Sequence, residues 1–486
     1  MEVTIFLNSM NHMFYEELKI KRQKYNISQT KLARASEYTC AKISEWELGK
    51  SIPSQEDILR LNDVLSKMIE NIDNHILDIR KKIILPDREK RKLPAAIKNA
   101  TMYREQLAKN PQLKHNPYAQ KLTKLYQCAQ TFKTKSSPKA IALFSGCGGL
   151  SLGFAAAGFN LVGHVEIEDS ANKIYEENFP YSELFGKDIC KITDSEMKKW
   201  ISKYENIDII IGGPPCQGFS LAGKRDPRDI RNQLYKYYVH MVEIIRPKVF
   251  VMENVRLLTS MKTSQGQLFI DCILKSFSNV GYDVFMQEIN AVDYGVPQSR
   301  ERVILVGVRK DLQTRFLFPT KEYINPQNNF STKHLQKYLT FRDATSDLAY
   351  LESGEVSKDP LHWSVAHPLH VIKWLRNVPE GHSAHENKDP ALRPPSGFNT
   401  TYKRIMWNEP CSTISTNFSM ISGCRNVHPQ ATRALTIREA ARAQSFPDEF
   451  AFFGKWGDIR KAIGNAVPPI LAETLAKAIL KQIFKS

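Results

Sequence analysis

The segment GGPPCQGFS, residues 212–220, places a cysteine in a loop that regular structure cannot extend. It follows three consecutive isoleucines, and its two glycines and two prolines favour a tight, fixed turn at the end of a strand. A thiolate is a strong nucleophile, so Cys216 in this loop could attack an electrophilic substrate. The alternative is the usual one for a free cysteine, a small buried hydrophobic side chain.

Two other segments carry groups that could assist such a nucleophile. The run KVFVMENV ends near Glu253, a carboxylic acid that could donate a proton from the end of a buried strand. The segment QSRERVILVGV contains Arg300 and Arg302, which the two-residue period of a strand places on one face. Ligands of open α/β sheets bind at the carboxyl ends of the strands, so these groups are predicted to converge with Cys216 on one rim.

A glycine-rich loop indicates a second ligand site beside the first. The segment SGCGGLSLGF follows the apolar run AIALF, and its glycines allow a ligand to approach the backbone between strand and helix. Glu166 ends the next apolar run and could accept hydrogen bonds from ribose hydroxyls. Asp188, in the following loop, could accept one from an exocyclic amine. Together these groups suit an adenosyl ligand, although each acid alone could equally be a surface residue at a strand end.

The elements that must position these groups alternate regularly from Lys139 to Arg309. Apolar runs such as AIALF, LVGHVEI and KVFVM alternate with helical stretches such as SANKIYEENF and QLFIDCILKSF. This alternation predicts an α/β fold with a doubly wound, mostly parallel sheet and helices on both faces. The sequence then becomes irregular as far as about Met406, which predicts a smaller inserted domain. Helical patterns resume at TIREAARAQSF and PPILAETLAKAILKQI.

Residues 15–70 predict a separate all-α domain. A first helix is predicted over FYEELKIKRQKYN, a second over QTKLARA after Ser28, a third over TCAKISEWEL up to Gly49, and a fourth over QEDILRLNDVL. The pattern resembles the helix-turn-helix of phage repressors, with Glu37 at a turn position that usually holds glycine. The alternative is a helical domain that serves only for docking. The residues expected to face DNA are Gln29, Thr39, Ala41, Lys42 and Glu45.

The charge of the chain is strongly positive and unevenly distributed. The formal net charge is +17, and residues 80–138 contain 15 Lys or Arg against three acidic residues. Such a basic stretch indicates a polyanionic partner, with nucleic acid favoured over membrane because no amphipathic apolar face accompanies the charge. The alternative is a linker that stays solvated.

Several protein classes are disfavoured by composition. Hydrophobic residues make up 42% of the chain and charged residues 24%, as in ordinary globular proteins. The eight cysteines form no CxxC pair, so neither a metal site nor a disulfide framework is predicted. Without a secretory leader or an apolar run of about 18 residues, the chain is expected to be cytoplasmic and free of membrane.

In their order along residues 139–480, the motifs resemble those of one family, the C5-cytosine DNA methyltransferases of bacterial restriction-modification systems. The matching segments are LFSGCGGLSLGF, the acids Glu166 and Asp188, GGPPCQGFS, MENV, QSRERV, LTIREAARAQSFPDEF and IGNAVPP. The family implies a Rossmann-like methyltransferase sheet, S-adenosylmethionine as methyl donor and double-stranded DNA as substrate. It also implies an inserted target-recognition domain.

The resemblance implies roles for individual residues. Cys216 would add to C6 of a flipped-out cytosine, Glu253 would act at N3, Arg302 would bind O2, and Arg300 would orient the carboxylate and the loop. One departure from the family is Cys147, where leucine or alanine is commoner. The positions implied to bind the cofactor are Phe144, Gly146, Gly149, Leu150, Glu166, Ile167, Asp188, Ile189, Pro215, Leu234, Asn465 and Val467.

The motifs divide the chain into five predicted parts. Residues 1–75 are the helix-turn-helix domain and residues 76–138 a basic linker. Residues 139–310 are the catalytic domain, residues 311–432 the target-recognition domain, and residues 433–486 a segment that returns to the catalytic domain. The catalytic part is expected to act as a monomer, while dimerisation through the helix-turn-helix domain is left open.

The predicted function is methylation of cytosine at C5 in a specific duplex site, which protects host DNA from a cognate restriction endonuclease. A second predicted role is autoregulation, in which the helix-turn-helix domain binds promoter DNA of the protein's own operon. An RNA methyltransferase is the nearest alternative, disfavoured by the single loop cysteine and the long insertion. A catalytically inactive DNA-binding protein is disfavoured because every reactive position is filled.

Overall fold

The chain forms two compact units, with the boundary between residues 85 and 86. The structure, a computed structural model, describes residues 18–19, 21–22, 27–81, 97–109, 116–131, 133–215, 233–263, 265–325 and 335–484, with the backbone alone for residues 70–81. In this described part of the chain, no helix has both the length and the apolar character needed to span a bilayer.

The N-terminal unit contains the predicted helices α1 (Gln29–Ser36), α2 (Cys40–Glu47) and α3 (Gln55–Lys81). The side chains of Ser28 and Thr39 cap α1 and α2 by accepting hydrogen bonds from backbone N–H groups one turn ahead. Helix α3 is much longer than the predicted segment, which ended at residue 65. The first predicted helix lies largely outside the described residues.

The turn of this unit has an unfavourable backbone angle at Glu37, the position that usually holds glycine. Glu37 has a φ of 60° and a ψ of 26°, so a non-glycine residue adopts the left-handed conformation between α1 and α2. A small apolar core holds the helices together, because the amphipathic faces of all three point inward. Its fully or almost fully buried members include Leu32, Ile43, Trp46, Leu61 and Leu65.

The second unit is built on a seven-stranded sheet, in the order β3-β2-β1-β4-β5-β7-β6 within the described residues. The predicted doubly wound, mostly parallel sheet is confirmed: β1 to β5 pair in parallel, while β7 is antiparallel to both β5 and β6. Its strands are β1 (Lys139–Leu143), β2 (Asn160–Val165), β3 (Glu183–Gly186), β4 (Ile209–Gly212), β5 (Val249–Val255), β6 (Tyr282–Asn290) and β7 (Glu301–Arg309).

Both faces of this sheet are buried, as the apolar runs predicted. Side chains alternate between two hydrophobic clusters, so that Ile209 and Ile211 point to one face and Ile210 to the other. The covering helices are α4 (Ala100–Ala108), α5 (Pro117–Gln130), α6 (Gly149–Ala157), α7 (Asp169–Asn178), α8 (Asp194–Ile201), α9 (Leu234–Ile245) and α10 (Phe269–Asn279).

Residues 97–109 and 116–131, which belong to the predicted basic linker, form α4 and α5 and contribute side chains to the core of this unit. Tyr103 and Leu122 are fully buried, and Leu125 is almost fully buried. All three belong to the hydrophobic cluster that covers one face of the sheet. Leu122 and Leu125 have helical spacing, but the many lysines of this stretch favoured the interpretation as a basic linker. The segment is therefore part of the folded unit.

The region after β7 is irregular, as predicted, although it belongs to the same compact unit. It contains the short strands β8 (Tyr323–Ile324) and β9 (Gln336–Lys337), the helices α11 (Phe341–Thr345) and α12 (Leu369–Arg376), and many turns. The predicted boundaries of a recognition domain at residues 311 and 432 stay predictions.

The last helices return to the sheet. They are α13 (Ile437–Ala443), α14 (Trp456–Asn465) and α15 (Pro469–Ile479). Helix α15 lies so close to α6 that a Cβ atom at Gly153 would be 2.4 Å from the backbone nitrogen of Glu473. Only glycine permits that approach, so the end of the described chain is fixed beside the glycine-rich loop.

Candidate active site

The described part of the cysteine loop leaves β4 directly beside β5. A Cβ atom at Gly213 would lie 3.0 Å from Oε2 of Glu253, and the Asn254 side-chain amide donates a hydrogen bond to the Pro214 carbonyl (3.0 Å). Pro215 is half-buried. Cys216 itself lies outside the described residues. The chain therefore enters the loop at the edge of the sheet where the Glu253 carboxylate lies.

Glu253 and Arg302 form an ion pair at this edge. Arg302 Nε lies 2.8 Å from Glu253 Oε1, and the two side chains are only 13% and 12% exposed. The antiparallel direction of β7 explains the pairing, because the start of β7 then lies beside the carboxyl end of β5. The predicted convergence of this acid and this arginine on one rim is thus seen in the structure.

Arg300 is placed differently from Arg302. Its guanidinium is fully buried and donates hydrogen bonds to the carbonyls of Ile414 (3.1 Å) and Gly464 (3.0 Å). Burial, and after it the charge of Arg302, lowers the pKa of Arg300 well below its ordinary value. Arg300 therefore joins two backbone segments, whereas the direct partner of the Glu253 carboxylate is Arg302.

Gln298 also binds Ile414, and it joins that residue to the end of α13. Its side chain is fully buried, donates to the Ala443 carbonyl (3.2 Å) and to the Gln444 side chain, and accepts from the Ile414 amide (2.8 Å). The amide of Ser299 also donates to the Cys411 carbonyl (2.9 Å). These bonds fix the start of β7 to the chain that precedes α13 and to the end of α13.

The glycine-rich loop has the backbone conformation that its composition predicted. Phe144, Gly146 and Gly148 all have positive φ values, of 52°, 56° and 100°. A Cβ atom at Gly149 would lie 2.4 Å from the Val467 carbonyl oxygen, whereas one at Gly146 would meet no described atom within 4 Å. The loop is consequently packed against the IGNAVPP segment at Gly149 and is open at Gly146. Leu150 is buried beneath it.

Glu166 is fixed by the backbone on both sides. Its carboxylate accepts hydrogen bonds from the amides of Gly146 (2.7 Å) and Glu168 (2.8 Å). Burial raises the pKa of Glu166, against the lowering effect of these two hydrogen bonds. The loop and the predicted ribose acid are therefore in direct contact, while the neighbouring Ile167 side chain is 63% exposed.

The other predicted cofactor residues surround this loop less closely. Asp188 follows β3, the strand beside β2, and accepts from the Cys190 amide (3.0 Å), while Ile189 is buried. Leu234 packs against the same hydrophobic cluster as Phe144. Asn465 is exposed at the end of α14. The structure thus brings the glycine loop, Glu166 and Val467 together and leaves the roles of the others as predictions.

In the helix-turn-helix unit, two predicted DNA contacts already have partners within the protein. The Gln29 amide donates to Glu47 (2.7 Å), which is also ion-paired with the buried Arg22 (2.6 Å). Thr39 caps α2. Lys42 lies over the rings of Tyr38 and Trp46, and Ala41 and Glu45 are exposed on the same helix.

A set of buried arginines on and before α13 escaped the sequence analysis. Arg438 pairs with Asp359 (2.7 Å) and Asp448 (3.1 Å), and Arg442 pairs with Asp448 (2.7 Å) and Asp347 (2.5 Å). Their spacing of four residues put both on one side of a helix, but it did not indicate burial. Tyr103 of α4 joins this network by accepting from Arg438 (2.8 Å) and donating to the Asp448 carbonyl.

Two family descriptions match the chain. Residues 139–481 match the C-5 cytosine-specific DNA methylase family, and residues 18–67 match a helix-turn-helix family. The first of these spans contains the sheet, the Glu253–Arg302 pair, the glycine loop and helices α13 to α15. The match to DNA methylases decides against the RNA methyltransferase alternative.

Individual relatives agree with this assignment. The chain is 36% identical over 380 residues to the type II methyltransferase M.DdeI of Desulfomicrobium norvegicum, covering 70% of this chain and 88% of the relative. It is also 36% identical over 344 residues to M1.HphI of Haemophilus parahaemolyticus, covering 70% and 86%. A crystal structure of a DNA modification methyltransferase encoded within an E. coli prophage superposes with a TM-score of 0.54 at 27% identity, covering 72% of this chain and all of that one. The chain therefore belongs to the C-5 cytosine-specific DNA methylase family, as a DNA (cytosine-5)-methyltransferase with a helix-turn-helix domain preceding the catalytic unit.

Proposed function

We propose that this enzyme transfers a methyl group from S-adenosylmethionine to C5 of a cytosine flipped out of a specific duplex site. The modification would protect host DNA from a cognate restriction endonuclease. The observation that supports the chemistry most directly is the Glu253–Arg302 ion pair, which lies where the loop toward Cys216 leaves the sheet. An acid and a guanidinium held together at that edge suit the N3 and O2 atoms of one pyrimidine ring.

The glycine loop fits an adenosyl cofactor. Gly146 has open space beside it, and Ile167 has an exposed apolar side chain. Glu166 accepts from the loop amide of Gly146 with one oxygen and from the Glu168 amide with the other. A carboxylate can still accept from ribose hydroxyls after accepting two backbone hydrogen bonds, because each oxygen has a second lone pair. Bound there, S-adenosylmethionine would supply an electrophilic methyl group.

The protein's own residues would make C5 of cytosine reactive. The Cys216 thiolate adds to C6 and forms a sulfur–carbon bond, while Glu253 donates a proton to N3 and stabilises the resulting enamine. Arg302 binds O2 and keeps Glu253 in position. After C5 has accepted the methyl group, a base removes the C5 proton and the bond to Cys216 breaks. N3 returns its proton to Glu253, which restores the neutral ring. The cytosine must leave the base stack for these groups to reach it.

Trapping the covalent step tests this proposal. A duplex with 5-fluorocytosine at the target, incubated with S-adenosylmethionine, is expected to become covalently attached to Cys216, because fluorine cannot leave as the C5 proton does. The variant Cys216→Ser should bind the cofactor with unchanged affinity and form no adduct. An adduct at another residue, or methylation by the variant, would contradict the assigned role. Bisulfite sequencing of plasmid DNA from expressing cells identifies the target site for the assay.

A second function, transcriptional autoregulation, is favoured by the helix-turn-helix unit. Helix α2 is capped at its start by Thr39 and presents the exposed side chains of Ala41, Lys42 and Glu45, as a recognition helix requires. Removal of residues 1–75 is expected to abolish binding to promoter DNA of the protein's own operon and to leave methylation intact. Lost methylation would instead mean that this unit serves the catalytic reaction.

A further inference from the structure

A polar cavity lies beside the segments that Arg300 joins. It has a volume of about 310 Å³, and its lining includes Thr416, Asn417, Ser419, Arg460, Lys461 and Asn465. Lys461 is ion-paired with Glu168 (2.8 Å), so Arg460 is the lining cation without a carboxylate partner among the described residues. Hydroxyl and amide groups and the side chain of Met420 complete the lining, and no carboxylate belongs to it in the described part of the chain. The lining therefore favours an anion.

Arg460 differs from the buried arginines on and just before α13. Arg433, Arg438 and Arg442 each pair with at least one carboxylate, whereas the hydrogen bond of Arg460 within the described residues goes to the neutral Ser419 hydroxyl. Burial lowers the pKa of Arg460, and no neighbouring carboxylate opposes that effect among the described residues. A half-buried guanidinium of this kind gains most from an anion that can accept two hydrogen bonds.

The cavity is close to the reacting groups through a short chain of contacts. A Cβ atom at Gly464 would lie 2.4 Å from the Thr416 nitrogen, so the two walls of the cavity touch there. Arg300 donates to the Gly464 carbonyl and, two residues on, Arg302 pairs with Glu253. One wall of the cavity is therefore connected through Arg300 to the start of β7, which carries the arginine of the candidate active site.

We propose that this cavity binds a backbone phosphate of the substrate DNA near the target cytosine, with Arg460 as its principal ligand. The bidentate fit of guanidinium to phosphate supports this assignment, as do the hydroxyl and amide groups of the lining, which can donate to a phosphate without competing for Arg460. The proposal rests on DNA being the substrate of the enzyme, and it requires neither the thiol chemistry nor a particular methyl donor. The carboxylate of an amino-acid cofactor is the other source of the same chemistry, because Asn465 also belongs to the predicted cofactor residues.

Salt-dependent binding to a duplex containing the methylation site tests the assignment. Full-length Arg460→Gln is expected to bind DNA about 10-fold to 100-fold more weakly and to flatten the plot of log affinity against log salt by about 0.9, the value for one phosphate contact. Arg460→Lys should restore most of the slope because it keeps the charge. Lys477→Gln, which removes one charge from α15 away from the cavity, should leave the slope unchanged.

Neutral methylphosphonate linkages, placed singly around the target cytosine, locate the contact. We expect one position at which the neutral linkage weakens binding of the wild type but not of Arg460→Gln. Asn417→Asp, which puts a carboxylate beside Arg460, should lose the same contact even if the arginine variant folds poorly. An unchanged salt slope together with weaker binding of S-adenosylmethionine would assign the cavity to the cofactor carboxylate and overturn the proposal. No change in either affinity would overturn it as well.

Discussion

Two helical regions precede the catalytic sheet, and they bury their apolar side chains in different places. Helices α1 to α3 enclose a core of their own around Trp46, Leu32 and Leu61. Helices α4 and α5 have no such core, because their apolar side chains, including Tyr103 and Leu122, join the large cluster beneath the sheet. One region is a separate unit and the other is a component of the methylase unit.

The difference shows that local signals identify helices without identifying domains. Both regions have capped helix starts, at Ser28 and Thr39 in the first and at Asn99 and Asn116 in the second. Both have apolar residues at helical spacing. Only the partner of each apolar face decides whether the segment is independent, and that partner lies far away in sequence for α4 and α5. The following predictions test this contrast.

Deleting residues 97–131 is expected to have the largest effect. Each buried side chain such as Tyr103, Leu122 or Leu125 contributes about 1.5–3 kcal/mol, so the loss of several exceeds much of the typical stability of a domain. We expect the shortened protein to be insoluble and inactive. Soluble expression and methylation of plasmid DNA measure this, with deletion of residues 1–85 as the control that should retain both. A soluble, active enzyme without residues 97–131 would contradict the assignment of α4 and α5 to the core.

Trp46→Ala should produce the opposite pattern. Truncating this buried ring is expected to destabilise the N-terminal unit by about 3–5 kcal/mol, which is enough to unfold a small domain. Urea unfolding of the fragment 1–85 would measure the change. Methylation by the full chain carrying the same substitution should stay at the wild-type rate, and a large loss would mean that the two units depend on each other.

Tyr103→Phe tests the hydrogen bonds that join α4 to the arginine network. The variant loses the hydroxyl that accepts from Arg438 and donates to the Asp448 carbonyl, while Arg438 keeps Asp359. We expect a loss of about 1–3 kcal/mol in the free energy of unfolding, measured by urea titration of the full chain. Tyr126→Phe, which removes a less buried hydroxyl from α5, is the matched control and should cost less.

The N-terminal unit should also have a distinctive acid response. The hydrogen bond from Tyr38, followed by those from Ser54, lowers the pKa of Asp57 from 3.8 to about 2. Because the pKa is lower in the folded state, the stabilisation is fully present above pH 3.8 and is lost as the pH falls through about 2. In the fragment 1–85, Asp57→Asn should flatten the dependence of unfolding on pH in this range. The effect should be below about 1 kcal/mol, since the group is close to solvent.

Glu37→Gly is expected to have the smallest effect, and in the stabilising direction. Glycine adopts the positive φ of this turn without strain, which should add about 0.5–1 kcal/mol, while the exposed ion pair of Glu37 with Arg60 contributes little. The thermal midpoint of the fragment 1–85 measures the gain. A lower midpoint would show that the ion pair outweighs the backbone strain. Glu45→Gly, at an exposed position inside α2, should destabilise the fragment and serves as the control.

Much of the candidate site could be predicted because its motifs are short and lie at strand ends. The sheet, the glycine loop, Glu166 and the approach of Glu253 to Arg302 all followed from runs of a few residues. The separation of Arg300 from Arg302 could not be predicted, because its carbonyl partners at Ile414 and Gly464 lie more than a hundred residues away. The carboxylate partners of Arg438 and Arg442 were missed for a similar reason.

The amino-acid sequence by itself determined the helices and strands, the order of the motifs and the chemical groups available for the reaction, since these depend on neighbouring residues. The tertiary structure decided which arginines are paired with a carboxylate and which are not. Arg442 and Arg460 are both arginines on helices near the end of the chain, yet one meets two aspartates and the other a serine hydroxyl. That difference depends on long-range packing, because a charge is satisfied only by a partner that the folded backbone brings within a few ångströms.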